Sequence, residues 1–220
     1  MQIPEGSHKL ITDILFDLGN VLTPLDWEIA YQRLLPHLPK DKARLLNEDR
    51  AVFVELFQEP ATALECGRLS FKDFYDTMAK ILGIRMNETD FRYIWCDIFR
   101  MNEEVVALGE SLSGDYGTWL LSNTNQAHYK WIIEKFPRVA FFKDAALSFE
   151  LGVMKPSTRF YGKAVGRFGI DPSASVFIDD LEENVQGAIR AGLHSVLFRN
   201  SKLLIQELQE MGVNLPDSQE

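Results

Sequence analysis

Three apolar runs in this chain stop abruptly at an acid or a hydroxyl, and that pattern limits the fold more than any other feature. Ile11 to Phe16 breaks off at Asp17-Leu18-Gly19-Asn20. Trp119-Leu120-Leu121 breaks off at Ser122-Asn123-Thr124-Asn125, and Ser175-Val176-Phe177-Ile178 at Asp179-Asp180. Short apolar runs bounded by turn residues read as buried strands. Two weaker runs, Ala146 to Phe149 and Ser195 to Phe198, complete the set. Helical patterns separate the later runs: Gln126 to Phe136, Thr158 to Phe168, Glu182 to Ala191 with Gly192 as a stop, and Ser201 to Met211. Such alternation implies a parallel sheet with helices on both faces. Ligands of these sheets bind beyond the carboxyl ends of the strands, where Asp17, Ser122 and Asp179 stand.

The stretch from Leu25 to Arg100 has no convincing strand. Phe91, Ile94, Trp95, Ile98 and Phe99 share one helical face. Ser70 with Asp73 three residues on predicts a capped helix carrying Phe71, Phe74 and Met78. Asp26 is placed to cap a helix through Trp27, Ala30, Tyr31 and Leu34 that Pro36 would end. The expected fold class is α/β, a Rossmann-like parallel-sheet core with an inserted all-helical cap. The core takes residues 1–24 and 101–220, the cap 25–100, and residues 1–8 are read as a disordered leader.

Composition narrows the function. A net charge of -9 argues against a nucleic-acid groove, which needs clustered Lys and Arg. A single small phosphate needs only a lysine, a cation and a few amides. The two cysteines, Cys66 and Cys96, form no paired motif, which fits a reducing cytoplasm. The run Ile11 to Phe16 is too short for a signal or membrane helix. A small-molecule partner is therefore expected, with no nucleic acid and no membrane, for a monomer or homodimer.

Asp17-Leu18-Gly19-Asn20, Ser122-Asn123-Thr124-Asn125, Lys155-Pro156 and Asp179-Asp180 with Asn184 follow one another along the chain. In this order they resemble the haloacid dehalogenase superfamily, over nearly the whole length outside the leader. Each segment alone has a plainer reading as a turn, a cap or a solvated lysine. The resemblance implies that Asp17 attacks phosphorus and becomes an aspartyl-phosphate. Asp17, Asp179 and the Gly19 carbonyl would hold Mg²⁺, with Asp180 ligating it directly or through water. Lys155 and Ser122 would neutralise and hold the phosphoryl oxygens, assisted by Leu18, Gly19 and Asn123. Asn184 would orient Lys155 or the acidic pair from behind. His128, three residues past the Ser-Asn-Thr-Asn segment, reads equally well as facing substrate or as a surface helix residue.

One position departs from the pattern. Most phosphatases of this superfamily carry a second Asp two residues after the nucleophile, and here Gly19 stands there. The three motif segments are similar to the bacterial α-glucose-1-phosphate phosphatase branch, which is catalytic. An anomeric oxygen leaves with less help from an acid, so a sugar 1-phosphate, or an acyl or aryl phosphate, is expected to be preferred over a simple alkyl phosphate. The alternatives are a non-catalytic binder of a phosphorylated ligand or protein, and a metal-free 2-haloacid dehalogenase. The dehalogenase fits poorly, because such enzymes have Tyr at the place of Gly19 and replace the acid retained here as Asp179. The cap and its hinges, near Thr23–Asp26 and Arg100–Asn102, would contact the leaving group. Trp27, Glu65 and Arg68 are the candidates for facing the pocket.

Overall fold

The computed structural model describes residues 10–215; the leader expected over residues 1–8 lies outside them. Strands β1 (Asp13–Phe16), β2 (Gly117–Ser122), β3 (Asp144–Leu147), β4 (Ser175–Asp179) and β5 (His194–Leu197) form one sheet, in the order β3-β2-β1-β4-β5. All four pairings are parallel. Parallel strands are apolar on both faces because helices cover both. Ile14 and Phe16 enter one core with Val176 and Ile178, whereas Leu15 enters the other with Leu121 and Phe177. Burying each such side chain contributes about 1.5–3 kcal/mol. That two-sided burial explains why the runs are continuous rather than alternating.

Helices α1 (Trp27–Leu34), α2 (Lys40–Glu48), α3 (Arg50–Glu65), α4 (Phe71–Leu82) and α5 (Glu88–Cys96) lie between β1 and α6 (Glu103–Leu112). The expected caps are in place. Asp26 accepts from the Glu28 amide. Ser70 accepts from the Asp73 amide and donates to its carboxylate. Phe57, Phe74, Phe91 and Trp95 form the aromatic centre of this insertion. Two extended segments connect it to the sheet. The Asp26 amide donates to the Ile98 carbonyl, Arg100 to Pro24 and Asn102 to Leu22. The expected hinge segments thus run side by side.

After β2 come α7 (Gln126–Lys135), the single turn α8 (Ser148–Leu151), α9 (Thr158–Phe168), α10 (Glu182–Arg190) and α11 (Ser201–Glu210). Two of the expected elements end elsewhere. The strand expected over Ala146–Phe149 is Asp144–Leu147, because Ser148 opens α8, which Gly152 closes in the left-handed conformation. The helical face expected to run to Phe99 stops at Cys96. Ile98 and Phe99 remain buried, but Phe99 bridges Leu25 in the hinge. Helix α1 ends at Leu34, just ahead of Pro36 as expected, and Pro36 sits within a following 3-10 turn, Leu35–His37.

Gly187 lets α10 approach the loop that carries Lys155. A Cβ there would stand 2.5 Å from the Pro156 carbonyl oxygen. Exposed Gly166 on α9 has nothing within 4 Å of the same position. Adding a methyl to a helical glycine gains about 1 kcal/mol of propensity, whereas overpacking against fixed backbone costs about 1–3 kcal/mol. Urea unfolding is expected to show Gly166→Ala as neutral or stabilising and Gly187→Ala as destabilising. The same sign for both would contradict this packing.

Candidate active site

The strand ends bring the four chemical segments together around one lysine. Lys155 Nζ donates to Asp17 Oδ1 at 2.7 Å, to Asp179 Oδ2 at 2.6 Å and to the Leu121 carbonyl at 3.1 Å. All three ammonium donors are used, and all three charged residues are buried. Asp17 immediately follows β1, Asp179 ends the neighbouring β4, and Leu121 lies on the opposite neighbour, β2. The sheet order itself creates the cluster.

Its charge does not balance. Asp17, Asp179 and half-buried Asp180 offer ligand atoms within 4.8 Å of one another, against a single ammonium. Burial, partly opposed by Lys155 and reinforced by Asp179, raises the Asp17 carboxyl to about 7. Burial alone would lower the Lys155 ammonium, but Asp17 and Asp179 reverse that and hold it above its ordinary value. An uncompensated buried anion is costly, and a divalent cation is what relieves it. Three carboxylates with no nitrogen or sulfur donor fit hard Mg²⁺. The fourth expected ligand, the Gly19 carbonyl, already accepts the Val21 amide at 2.7 Å and keeps one lone pair.

Polar contacts fix the cluster from several sides. Asn184 Nδ2 donates to both Asp179 oxygens at 2.9 and 3.1 Å. Of the two orienting roles expected for it, the structure shows the one on the acidic pair. The Leu181 amide also donates to Asp179. Asn123 adds a contact that the sequence does not announce. Its amide group is spent on the backbone of Lys155, accepting from the nitrogen at 2.9 Å and donating to the carbonyl at 3.0 Å. Its side chain therefore positions the lysine rather than facing a ligand. The Ser122 hydroxyl, buried at the end of β2, makes no hydrogen bond among the described residues.

Asn20 had no role in the sequence reading, and its signal was faint. It adopts φ 55°, which Asn tolerates better than most residues. Its Nδ2 donates to Asp180 Oδ2 at 2.9 Å, tying the first acidic loop to the last. Gly19 is not forced by crowding. A Cβ there would meet only Leu25 Cδ2, at 3.7 Å. The missing carboxyl two residues past Asp17 is thus a chemical difference, not a steric one.

The haloacid dehalogenase-like hydrolase family matches residues 14–192. The D-ribitol-5-phosphate phosphatase of Bacteroides thetaiotaomicron is 26% identical over 210 residues, covering 90% of this chain and 97% of that protein. The chloroplast flavin mononucleotide hydrolase of Arabidopsis thaliana is 33% identical over 87 residues, but the match spans only 40% of this chain and 36% of that protein. A haloacid dehalogenase family enzyme of Bacteroides thetaiotaomicron, solved with magnesium and inorganic phosphate, superposes with TM-score 0.73. It is 26% identical and covers 86% of this chain and 94% of its own.

His128 is neither a surface residue nor an open ligand. It is buried against Trp95, Trp27 and Phe99, with Nε2 3.0 Å from the Trp95 carbonyl. That carbonyl can only accept, so Nε2 carries the proton. Burial pushes the imidazole down from 6.5 to about 4, with the Trp95 hydrogen bond pulling the other way. The native state then binds fewer protons than the unfolded one. Stability from this group is full above pH 6.5 and is lost as pH falls toward 4. His128→Gln is expected to flatten the acid-side decline relative to the parent by about 2 kcal/mol between pH 6.5 and 5, read by urea unfolding. Parallel declines in the two proteins would contradict the buried neutral state.

Proposed function

The chain belongs to the haloacid dehalogenase-like hydrolases, and on that premise we propose that it is a magnesium-dependent phosphatase of small phosphate esters with Asp17 as nucleophile. The observation that carries this reading is the Lys155 ammonium held between Asp17 and Asp179, with more carboxylate around it than it neutralises. A plain phosphate binder has no use for an anionic side chain aimed at an anionic ligand. A nucleophile that will carry the phosphoryl group does.

The residues divide the work as follows. An Asp17 oxygen attacks phosphorus while the ester oxygen leaves from the opposite side, giving the aspartyl-phosphate and an alkoxide that takes a proton to become the alcohol. Lys155 and the Ser122 hydroxyl take the phosphoryl oxygens, the amides of Leu18, Gly19 and Asn123 assisting. When bound by Asp17, Asp179, Asp180 and the Gly19 carbonyl, Mg²⁺ supplies the positive charge that lets two anions meet. Asn184 keeps Asp179 facing that position. Water then cleaves the aspartyl-phosphate and regenerates the carboxylate.

Two substrate classes compete. Gly19 offers no acid to the leaving oxygen, which favours a sugar 1-phosphate, whose anomeric oxygen leaves readily. The relatives named for D-ribitol 5-phosphate and flavin mononucleotide favour the phosphate of a primary alcohol on a polyol chain. Phosphate release from an ester panel, with and without Mg²⁺, tests both. The parent is expected to release phosphate only with the metal, and Asp17→Asn to lose at least about 1,000-fold in kcat. An anomeric ester turned over faster than the 6-phosphate of the same sugar supports the first class, and the reverse order the second. Release unaffected by Asp17→Asn would sink the whole reading.

A further inference from the structure

Glu65 is the last residue of α3, and two contacts seat it on the mouth of the sheet. Its carbonyl accepts from the Ser148 hydroxyl at 2.6 Å. The same hydroxyl accepts from the Thr124 amide at 2.9 Å and lies 3.0 Å from the Thr124 carbonyl. Thr124 stands two residues beyond Ser122, at the end of the strand next to β1 and therefore next to Asp17. The second contact is Gly67, which comes so close to the sheet that a Cβ would stand 2.2 Å from the Phe149 carbonyl oxygen. The end of α3 is therefore held against the carboxyl ends of β2 and β3, the side of the sheet on which Ser122 and Asp17 stand.

The Glu65 carboxyl combines burial with the lack of a partner, whereas Glu55 and Glu59 on the same helix are exposed. Glu28 pairs with Arg50, Asp76 with Lys72, Glu88 with Arg92 and Asp97 with Arg33. Glu65 is half-buried and has no ion pair or side-chain hydrogen bond among the described residues. Burial alone lifts it to about 7, so it holds a proton near neutral pH and can also release one. An acid that shifts between those states serves proton transfer better than it serves packing. The loop after β1 lacks such a group although it has room for one at Gly19.

We propose that Glu65 supplies and retrieves the proton of the leaving oxygen, acting from the helical insertion in place of the carboxyl absent at Gly19. The inference rests on the phosphatase reading above. In this proposal the carboxyl reaches the leaving oxygen from the anchored end of α3: as Asp17 forms its bond to phosphorus and the phosphorus–ester bond breaks, the Glu65 carboxyl gives its proton to the departing oxygen, releasing the alcohol. The Glu65 carboxylate then takes a proton from the water that attacks the aspartyl-phosphate. The hydroxide oxygen stays on phosphate, Asp17 leaves as carboxylate, and Glu65 ends protonated as it began. This arrangement lets the site act on esters of primary alcohols, which need an acid, as well as on esters that leave unaided.

The test compares kcat/KM for p-nitrophenyl phosphate and glycerol 3-phosphate in the parent and in Glu65→Gln, with Mg²⁺ saturating. Nitrophenolate leaves without a proton, whereas the glycerol alkoxide does not. Glu65→Gln is expected to lower the glycerol phosphate value by about 100-fold or more and the nitrophenyl value by less than about threefold. The readout is the ratio of the two activities in one preparation, so a variant folded only in part still reports it. Equal losses on both esters, or no loss on either, would overturn the role of Glu65 and leave the phosphatase reading standing. A parent that releases phosphate from no ester overturns both.

Discussion

A single ammonium buried between two carboxylates is the constraint on which the rest of this structure depends. Removing Lys155 from water is tolerable only because Asp17 and Asp179 stand 2.7 and 2.6 Å away. Those carboxylates are tolerable only because Lys155, the Leu181 amide and Asn184 meet them. The two acids reach the same point because β1 and β4 are adjacent and in register, Phe16 opposite Ile178. The lysine arrives from a loop with no regular structure of its own, and Asn123 holds that loop through both backbone polar groups of Lys155. The remaining negative charge is what makes the site a seat for a divalent cation.

The helical insertion completes what the strand ends leave open. Its hinge segments pair with one another, so it is joined to the sheet by hydrogen bonds as well as by covalent chain. On its inner side, Trp95 packs on His128 of α7, and the end of α3 touches Ser148 and Phe149. These contacts hold the insertion against the carboxyl ends of β2 and β3.

Much of this was legible in the sequence, for a physical reason. Strands buried on both faces must be continuously apolar, so the break at Asp17, Ser122 and Asp179 marks their ends without reference to anything distant. The fold class and the convergence of Asp17 and Asp179 follow from those breaks and their order, whereas Lys155 was placed with them only by the resemblance. What was not legible depends on contacts between distant segments. Ser148 looked like part of a strand, because nothing local says that its hydroxyl ties Thr124 to Glu65. Phe99 fitted a helical face, yet pairing with Leu25 pulled it into the hinge. Nothing local says that the side chain of Asn123 fastens a backbone thirty-two residues away. The place of His128 between Trp27, Trp95 and Phe99 rests on how the insertion folds back.

The most direct test of the account is to trap the phosphorylated enzyme. The full chain would be mixed with Mg²⁺ and a turned-over ester, quenched in acid during the steady state, and its peptides weighed by mass spectrometry. The account predicts a phosphoryl group on the peptide that contains Asp17, removed by alkali and missing from Asp17→Asn. Steady turnover with no phosphoryl group on that peptide would mean that water attacks the ester directly, and would contradict the central role given to Asp17.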